Sequence, residues 1–278
     1  MKSLFIALFV VLFVSCSSDD NGDNFPKDFS AINEQEIIEY VAANNLTATR
    51  TDTGLYYVIE ELGEGASLTA TSDVSIRFKA YYIDGSLADQ TPENGVPANL
   101  QTTIPGLTEG LQHFKEGGNG IIIVPSSLAF GSNDYQGIPG GSVIIFVIEV
   151  IDWAVENKEE IVGYIEANDL IATESETGLF FVIEEEGSGE QPTGTSNVTV
   201  AYKGYLTDGT VFDESSADGV SFDLDKVIAG WTEGIQYFKK GGSGKLLIPS
   251  SLAYGRLGNQ SIPGGAVLIF DVNLKSIN

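Results

Sequence analysis

The sequence is short of the residues on which covalent and metal chemistry usually depend. It has one cysteine, Cys16, so no intramolecular disulfide can form. Its one histidine, His113, leaves a Ser-His-Asp triad or a histidine-ligated metal without its parts. The counterpart of His113 in the second half of the chain is Tyr237, and a structural or exposed role is expected for His113. Basic residues are scarce, 14 against 39 acidic, and the net charge of -25 repels phosphate backbones. Nucleic acid is thereby excluded as a partner, and so is a purely electrostatic hold on anionic lipid. The apolar run from Leu4 to Val14, behind Lys2, is too short to span a bilayer as a helix and has the layout of a secretory signal. No cofactor and no metal are expected. Asp19 to Asn24 lacks the bidentate glutamate of a calcium loop. Gly241-Gly242-Ser243-Gly244-Lys245 fails as a phosphate loop, with Lys239 where the first glycine belongs and Leu246 where a hydroxyl belongs.

What is present is a unit written twice. Residues 36–150 match residues 160–274 at a constant offset of 124 without a gap, with roughly half the positions identical. A period this long implies two domains of ordinary size rather than a solenoid. The expected division is a signal peptide at 1–15, a flexible acidic tether at 16–29, and domains at 30–153 and 154–278. Each copy opens with a predicted amphipathic helix, Glu34 to Asn44 and Lys158 to Asn168, followed by a strand at 55–59 or 179–183. In the next strand Val198, Val200 and Tyr202 point one way and Thr199, Ala201 and Lys203 the other. Asp84-Gly85 and Asp208-Gly209 predict two-residue hairpin turns. Trp231, Ile235 and Phe238 fall at i, i+4 and i+7, one buried face of a short helix set among strands, with Gly241-Gly242 ending it. Trp153-Ala154-Val155 is read as a short linker.

The end of the apolar run, Phe13-Val14-Ser15-Cys16, resembles the lipobox of bacterial lipoproteins, although Phe13 departs from the usual leucine there. This resemblance implies lipidation of Cys16 and a membrane-anchored, exported protein of the outer membrane, on its periplasmic or cell-surface side. The acidic run behind Cys16 is similar to a surface-export signal of lipoproteins in Bacteroidetes-type bacteria.

Five motifs of the second copy stand in order: Val198-Thr199-Val200-Ala201-Tyr202-Lys203-Gly204, Asp208-Gly209-Thr210-Val211-Phe212-Asp213, Val227-Ile228-Ala229-Gly230-Trp231, Leu252-Ala253-Tyr254-Gly255 and Ile269-Phe270-Asp271-Val272. Together they resemble the FKBP-type peptidyl-prolyl cis-trans isomerases, and the similarity covers both copies. It implies an α+β fold in each domain, a curved antiparallel sheet clasping one short helix, and proline-containing polypeptides as substrates. It also implies a pocket lined by Tyr202, Phe212, Phe222, Val227, Ile228, Trp231, Tyr254, Ile262 and Phe270, with Asp213 at the rim and Trp231 as the floor. Ile228 N–H and the Tyr254 hydroxyl would donate to substrate carbonyls, and Tyr202 would hold Asp213.

At the matching positions the first copy reads Phe78, Ala88, Ala98, Thr103, Leu107 and Phe130 for Tyr202, Phe212, Phe222, Val227, Trp231 and Tyr254, while Asp89, Ile104, Ile138 and Phe146 are retained. Activity is therefore expected mainly in the second domain. The alternative is a non-catalytic module, anchored to the membrane, that holds extended segments of client proteins.

Overall fold

The structure, a computed structural model, describes residues 27–278; the apolar run, the cysteine and most of the acidic stretch lie outside them. The chain divides into two compact units that part between Ile151 and Asp152. In the first, α1 (Ser30–Ala43) precedes β1 (Thr49–Arg50), β2 (Tyr56–Glu61), β3 (Asp73–Tyr82), β4 (Leu87–Gln90) and β5 (Val96–Asn99); α2 (Pro105–Leu111), β6 (Asn119–Val124) and β7 (Ile144–Val150) follow. The second repeats the order. It comprises α3 (Trp153–Ala167), β8 (Thr173–Glu174), β9 (Phe180–Glu185), β10 (Asn197–Tyr205), β11 (Val211–Glu214), β12 (Val220–Asp223), α4 (Ala229–Gly234), β13 (Ser243–Ile248) and β14 (Leu268–Ile277). Both units are α+β, as expected.

Every strand pairing is antiparallel, and the order β11-β10-β14-β13-β9-β8, with β12 also on β10, mirrors that of the first unit. The alternation anticipated along β10 sends Val198, Val200 and Tyr202 to one face, where they meet Trp231, Ile235 and Phe238 from the helical segment. On β13 and β14 the alternation disappears, because both faces are covered. Leu246, Leu268 and Phe270 belong to the core under α4, whereas Leu247 and Ile269 belong to a second core under α3, around the fully buried Ile161. Continuous apolar runs are the mark of strands buried on both sides. The helix that opens each repeat is thus the outer layer of its own domain, and among the described residues no helix is long and apolar enough to cross a membrane.

Three local expectations need correction. Trp153-Ala154-Val155 is not a linker but the first turn of α3, started by the Asp152 carboxylate, which accepts the Ala154 and Val155 N–H groups at 3.0 and 3.4 Å. The hairpin turns are longer than two residues. Gly209 N–H donates to Leu206 C=O and Leu206 N–H to Thr210 C=O, both at 2.9 Å, and only Gly209, at φ +86°, is left-handed. Asp208 instead accepts the Thr210 N–H at 2.8 Å, a local bond that holds it out of the left-handed region. Finally, the Trp231 helix is two pieces, α4 and a 3-10 turn over Ile235–Tyr237, and ends before Gly241-Gly242. Its three apolar residues are buried nonetheless, at 5%, 0% and 1% exposure.

Candidate active site in the second domain

The residues expected to line a pocket come from several elements of the second unit. β10 supplies Tyr202, β11 Phe212 and Asp213, and β12 Phe222; the start of α4 supplies Val227, Ile228 and Trp231; β14 and the loop before it supply Phe270, Tyr254 and Ile262. Their rings pack edge to face around the indole. Tyr202, Phe222 and Phe270 have centroids 5.0, 5.2 and 5.1 Å from that of Trp231, at interplanar angles of 84°, 64° and 88°. Phe212 meets Phe270 at 5.4 Å and 84°. Such contacts place the positive ring edge on the negative face and hold the aromatics in one arrangement. Trp231, Phe270 and Ile262 are buried, whereas Tyr202, Phe212, Phe222, Val227 and Ile228 are half-buried and Tyr254 is exposed. The cluster therefore grades from a sealed indole to accessible edges.

Polar groups at this rim are few and directed. The Tyr202 hydroxyl donates to Asp213 Oδ2 at 2.7 Å. Burial, and after it this bond, push the Tyr202 phenol up to about 12. Ile228 is the N-cap of α4, its carbonyl accepting the Trp231 and Thr232 N–H groups at 2.9 and 3.1 Å. Its own N–H, like the hydroxyl of Tyr254, donates to nothing among the described residues. A main-chain donor at the edge of an apolar surface with no internal acceptor suits a ligand carbonyl. Elsewhere in this domain an open cleft of about 280 Å³ is lined by Glu184, Lys203, Ser215, Asp271 and Asn273. Tyr202 is common to both, but none of Phe212, Trp231 and Phe270 lines that cleft.

In the first domain the framework persists without the rings. Phe78 meets Phe146 edge to face at 5.4 Å, but Asp89 has no phenol to hold it and accepts the Gln90 N–H at 2.8 Å. Thr103, in the place of Val227, bonds Thr108 at 3.0 Å. Phe130, in the place of Tyr254, stacks on Tyr135 at 5.7 Å. His113 lies flat on Tyr57 at 4.0 Å, as Tyr237 lies on Phe181 at 4.1 Å, so both serve packing.

A family model described as FKBP-type peptidyl-prolyl cis-trans isomerase matches residues 65–151 and again 188–275, more than half of the chain. The chain belongs to this family. Both FKBP domains are accounted for by that match, one on each unit. Among curated proteins the chain is similar to the FKBP-type peptidyl-prolyl cis-trans isomerase FkpA of Aeromonas hydrophila, 45% identical over 128 residues, covering 45% of this chain and 48% of that protein. FkpA of Escherichia coli K12 is 50% identical over 105 residues, covering 37% of this chain and 39% of its own length. The chain thus spans less than half the length of the curated FKBP relatives it matches. Of solved structures, the crystal structure of FkpA from Escherichia coli is 43% identical, with a TM-score of 0.41 and coverage of 45% of this chain and 61% of that one.

Two contributors were not singled out by sequence reasoning. Gly204 lies beneath the Phe212 and Phe270 rings, and Asn157, buried in α3, bonds the base of the Tyr254 loop. A glycine exchanged for alanine between the copies (Ala80), and an asparagine repeated at the same offset (Asn33), are the signals that mark them.

Proposed function

We propose that the chain is a peptidyl-prolyl cis-trans isomerase acting chiefly through its second domain, between 154 and 278, on proline-containing segments of exported proteins. The observation that carries this is the indole packed against three edge-on rings, with half-buried Tyr202, Phe212 and Phe222 at the margin of the cluster beside the Tyr202–Asp213 pair and two donors that bond nothing among the described residues. Rotation about a peptide bond meets a barrier of about 18–20 kcal/mol, and X-Pro bonds turn over in tens to hundreds of seconds unaided. At the twisted geometry amide resonance is lost and the carbonyl carries less charge than when planar. An apolar bed for the proline ring therefore disfavours the planar form relative to the twisted one. Ile228 N–H and the Tyr254 hydroxyl hold the flanking carbonyls, and Asp213, oriented by Tyr202, sets the field at the turning bond. No nucleophile takes part.

Comparing separately produced 27–151 and 152–278 on a short proline peptide tests the assignment. The second fragment should turn over rapidly and be inhibited by a macrolide FKBP ligand, while the first stays near the uncatalysed rate. A first fragment as fast as the second overturns it. A second reading, binding of client segments without turnover, is favoured for the first domain by its truncated wall at Ala88, Ala98 and Leu107.

The pH dependence follows from Tyr202. Its phenol is raised from 10.0 to about 12, so its bond contributes fully below the unfolded value and is lost only as pH rises through the folded one. The rate should be flat from about pH 7 to about pH 9.5, and a fall in that window assigned to Tyr202 would remove its role as donor. Anchoring through a lipid on Cys16, at the outer membrane, belongs to the same proposal; the run from Leu4 to Val14 and the position of the lone cysteine support it. Palmitate labelling lost in Cys16→Ser is its check.

A further inference from the structure

We infer that Asn157, outside the aromatic cluster, is a positioning residue that latches the loop carrying Tyr254; its catalytic meaning rests on the isomerase reading above. The loop joins β13 to β14. At its two ends Ser250 N–H donates to Asn157 Oδ1 at 2.7 Å, and Asn157 Nδ2 donates to Gly265 C=O at 2.7 Å. Between them Gly255 N–H donates to Ser250 C=O at 2.8 Å and Gly265 N–H to Gly255 C=O at 2.9 Å. These four bonds form a closed circuit through Asn157, Ser250, Gly255 and Gly265. Tyr254 is the residue next to Gly255.

The latch is buried, with Asn157 at 1% and Ser250 at 3% exposure, so a lost amide leaves a donor and an acceptor without partners and without water. One turn earlier in α3, Trp153 lies against Gly265. A Cβ at that glycine would sit 2.2 Å from the indole Cη2, so the helix seats on the loop at both places. Tyr254 itself is 41% exposed and its hydroxyl makes no hydrogen bond among the described residues. Its placement is therefore set by the backbone that Asn157 closes.

The first domain builds the same circuit. Asn33 donates to Gly141 C=O at 2.8 Å and accepts Ser126 N–H at 2.9 Å; Gly131 N–H reaches Ser126 C=O at 2.8 Å, and Gly141 N–H reaches Gly131 C=O at 2.9 Å. Phe29 takes the place of Trp153 against Gly141. That loop carries Phe130, which has no hydroxyl to position, so Asn33 is an internal control.

The test compares full-length Asn157→Ala with Ile161→Val, which loosens the same helix without touching the latch, and with Asn33→Ala. Asn157→Ala should lower kcat/KM on a proline peptide about tenfold, in line with the cost of misplacing one contact, and speed hydrogen exchange at Gly255 and Gly265. In a Tyr254→Phe background the same substitution should cost no more than about twofold, because coupled residues are not additive. Ile161→Val and Asn33→Ala should keep the wild-type rate. Should Asn157→Ala fail to fold, Asn157→Ser, which retains a hydroxyl for one of the bonds, is read the same way. A rate loss no larger than that of Ile161→Val, or an undiminished loss in the Tyr254→Phe background, overturns the positioning role. Unchanged exchange at Gly255 and Gly265 overturns the latch itself, whereas a wild-type chain without turnover defeats the isomerase reading and leaves the exchange result to stand alone.

Discussion

Replacing Phe212 and Asp213 together by alanine should lower kcat/KM for a proline peptide by about a hundredfold or more while the second domain stays folded. Phe212 is half-buried against Phe270, and losing a ring of this size removes about 1.5–3 kcal/mol of apolar contact where it faces a ligand. At about 1.36 kcal/mol per decade that alone amounts to roughly ten- to hundredfold. Asp213 adds to this, because its carboxylate, held at 2.7 Å by Tyr202, is the only charged group among the proposed pocket residues. Turnover should be measured beside a thermal melt, with Asp89→Ala in the first domain as a neutral comparison. Equal rates for the double variant and the wild type would reject the aromatic pocket as the site.

The second large effect is expected from a residue with no side chain. Gly204 faces both Phe212 and Phe270, and a Cβ there would lie 2.7 Å from a carbon of each ring. Gly204→Ala must therefore push Phe212 off its seat, at a cost of about 1–3 kcal/mol in stability and about tenfold or more in turnover. The first domain shows how the chain solves this crowding. There Ala80, buried opposite Phe146, coexists with Ala88 where the phenylalanine would be. It follows that Gly204→Ala combined with Phe212→Ala should recover much of the lost stability and none of the lost rate. Conversely, Ala88→Phe should be tolerated far better when Ala80→Gly accompanies it. Melting temperatures of the four single and the two paired variants decide the matter. Strictly additive effects would show that the two positions do not share the space.

The offset of 124 made the tandem architecture legible, because two copies of one pattern are hard to mistake for anything else. The aromatics were legible only jointly. Taken one at a time, Phe222 or Tyr202 reads as ordinary core, and what sets both apart is that they end half-buried in a cluster beside an N–H with no acceptor among the described residues. The outer position of α1 and α3 was hidden because an amphipathic stripe says that a face is buried, not against what. The Asp208-Gly209 turn was misjudged in length because that dipeptide fits two turns, and a side-chain bond to Thr210 chose between them. The repeat itself extends further than the sequence match suggested. Phe29 and Trp153 share no identity, yet both lie on the equivalent glycine, and Asn33 and Asn157 follow them.

Both tryptophans of the chain, Trp153 and Trp231, belong to the second unit, one seated on Gly265 and one at the centre of the ring cluster. Indole emission from the intact protein is consequently a private optical channel for that half. Denaturation followed by tyrosine-sensitive circular dichroism and by indole fluorescence would yield two curves from one cuvette, the second blind to the first domain, without a label or a cut in the chain.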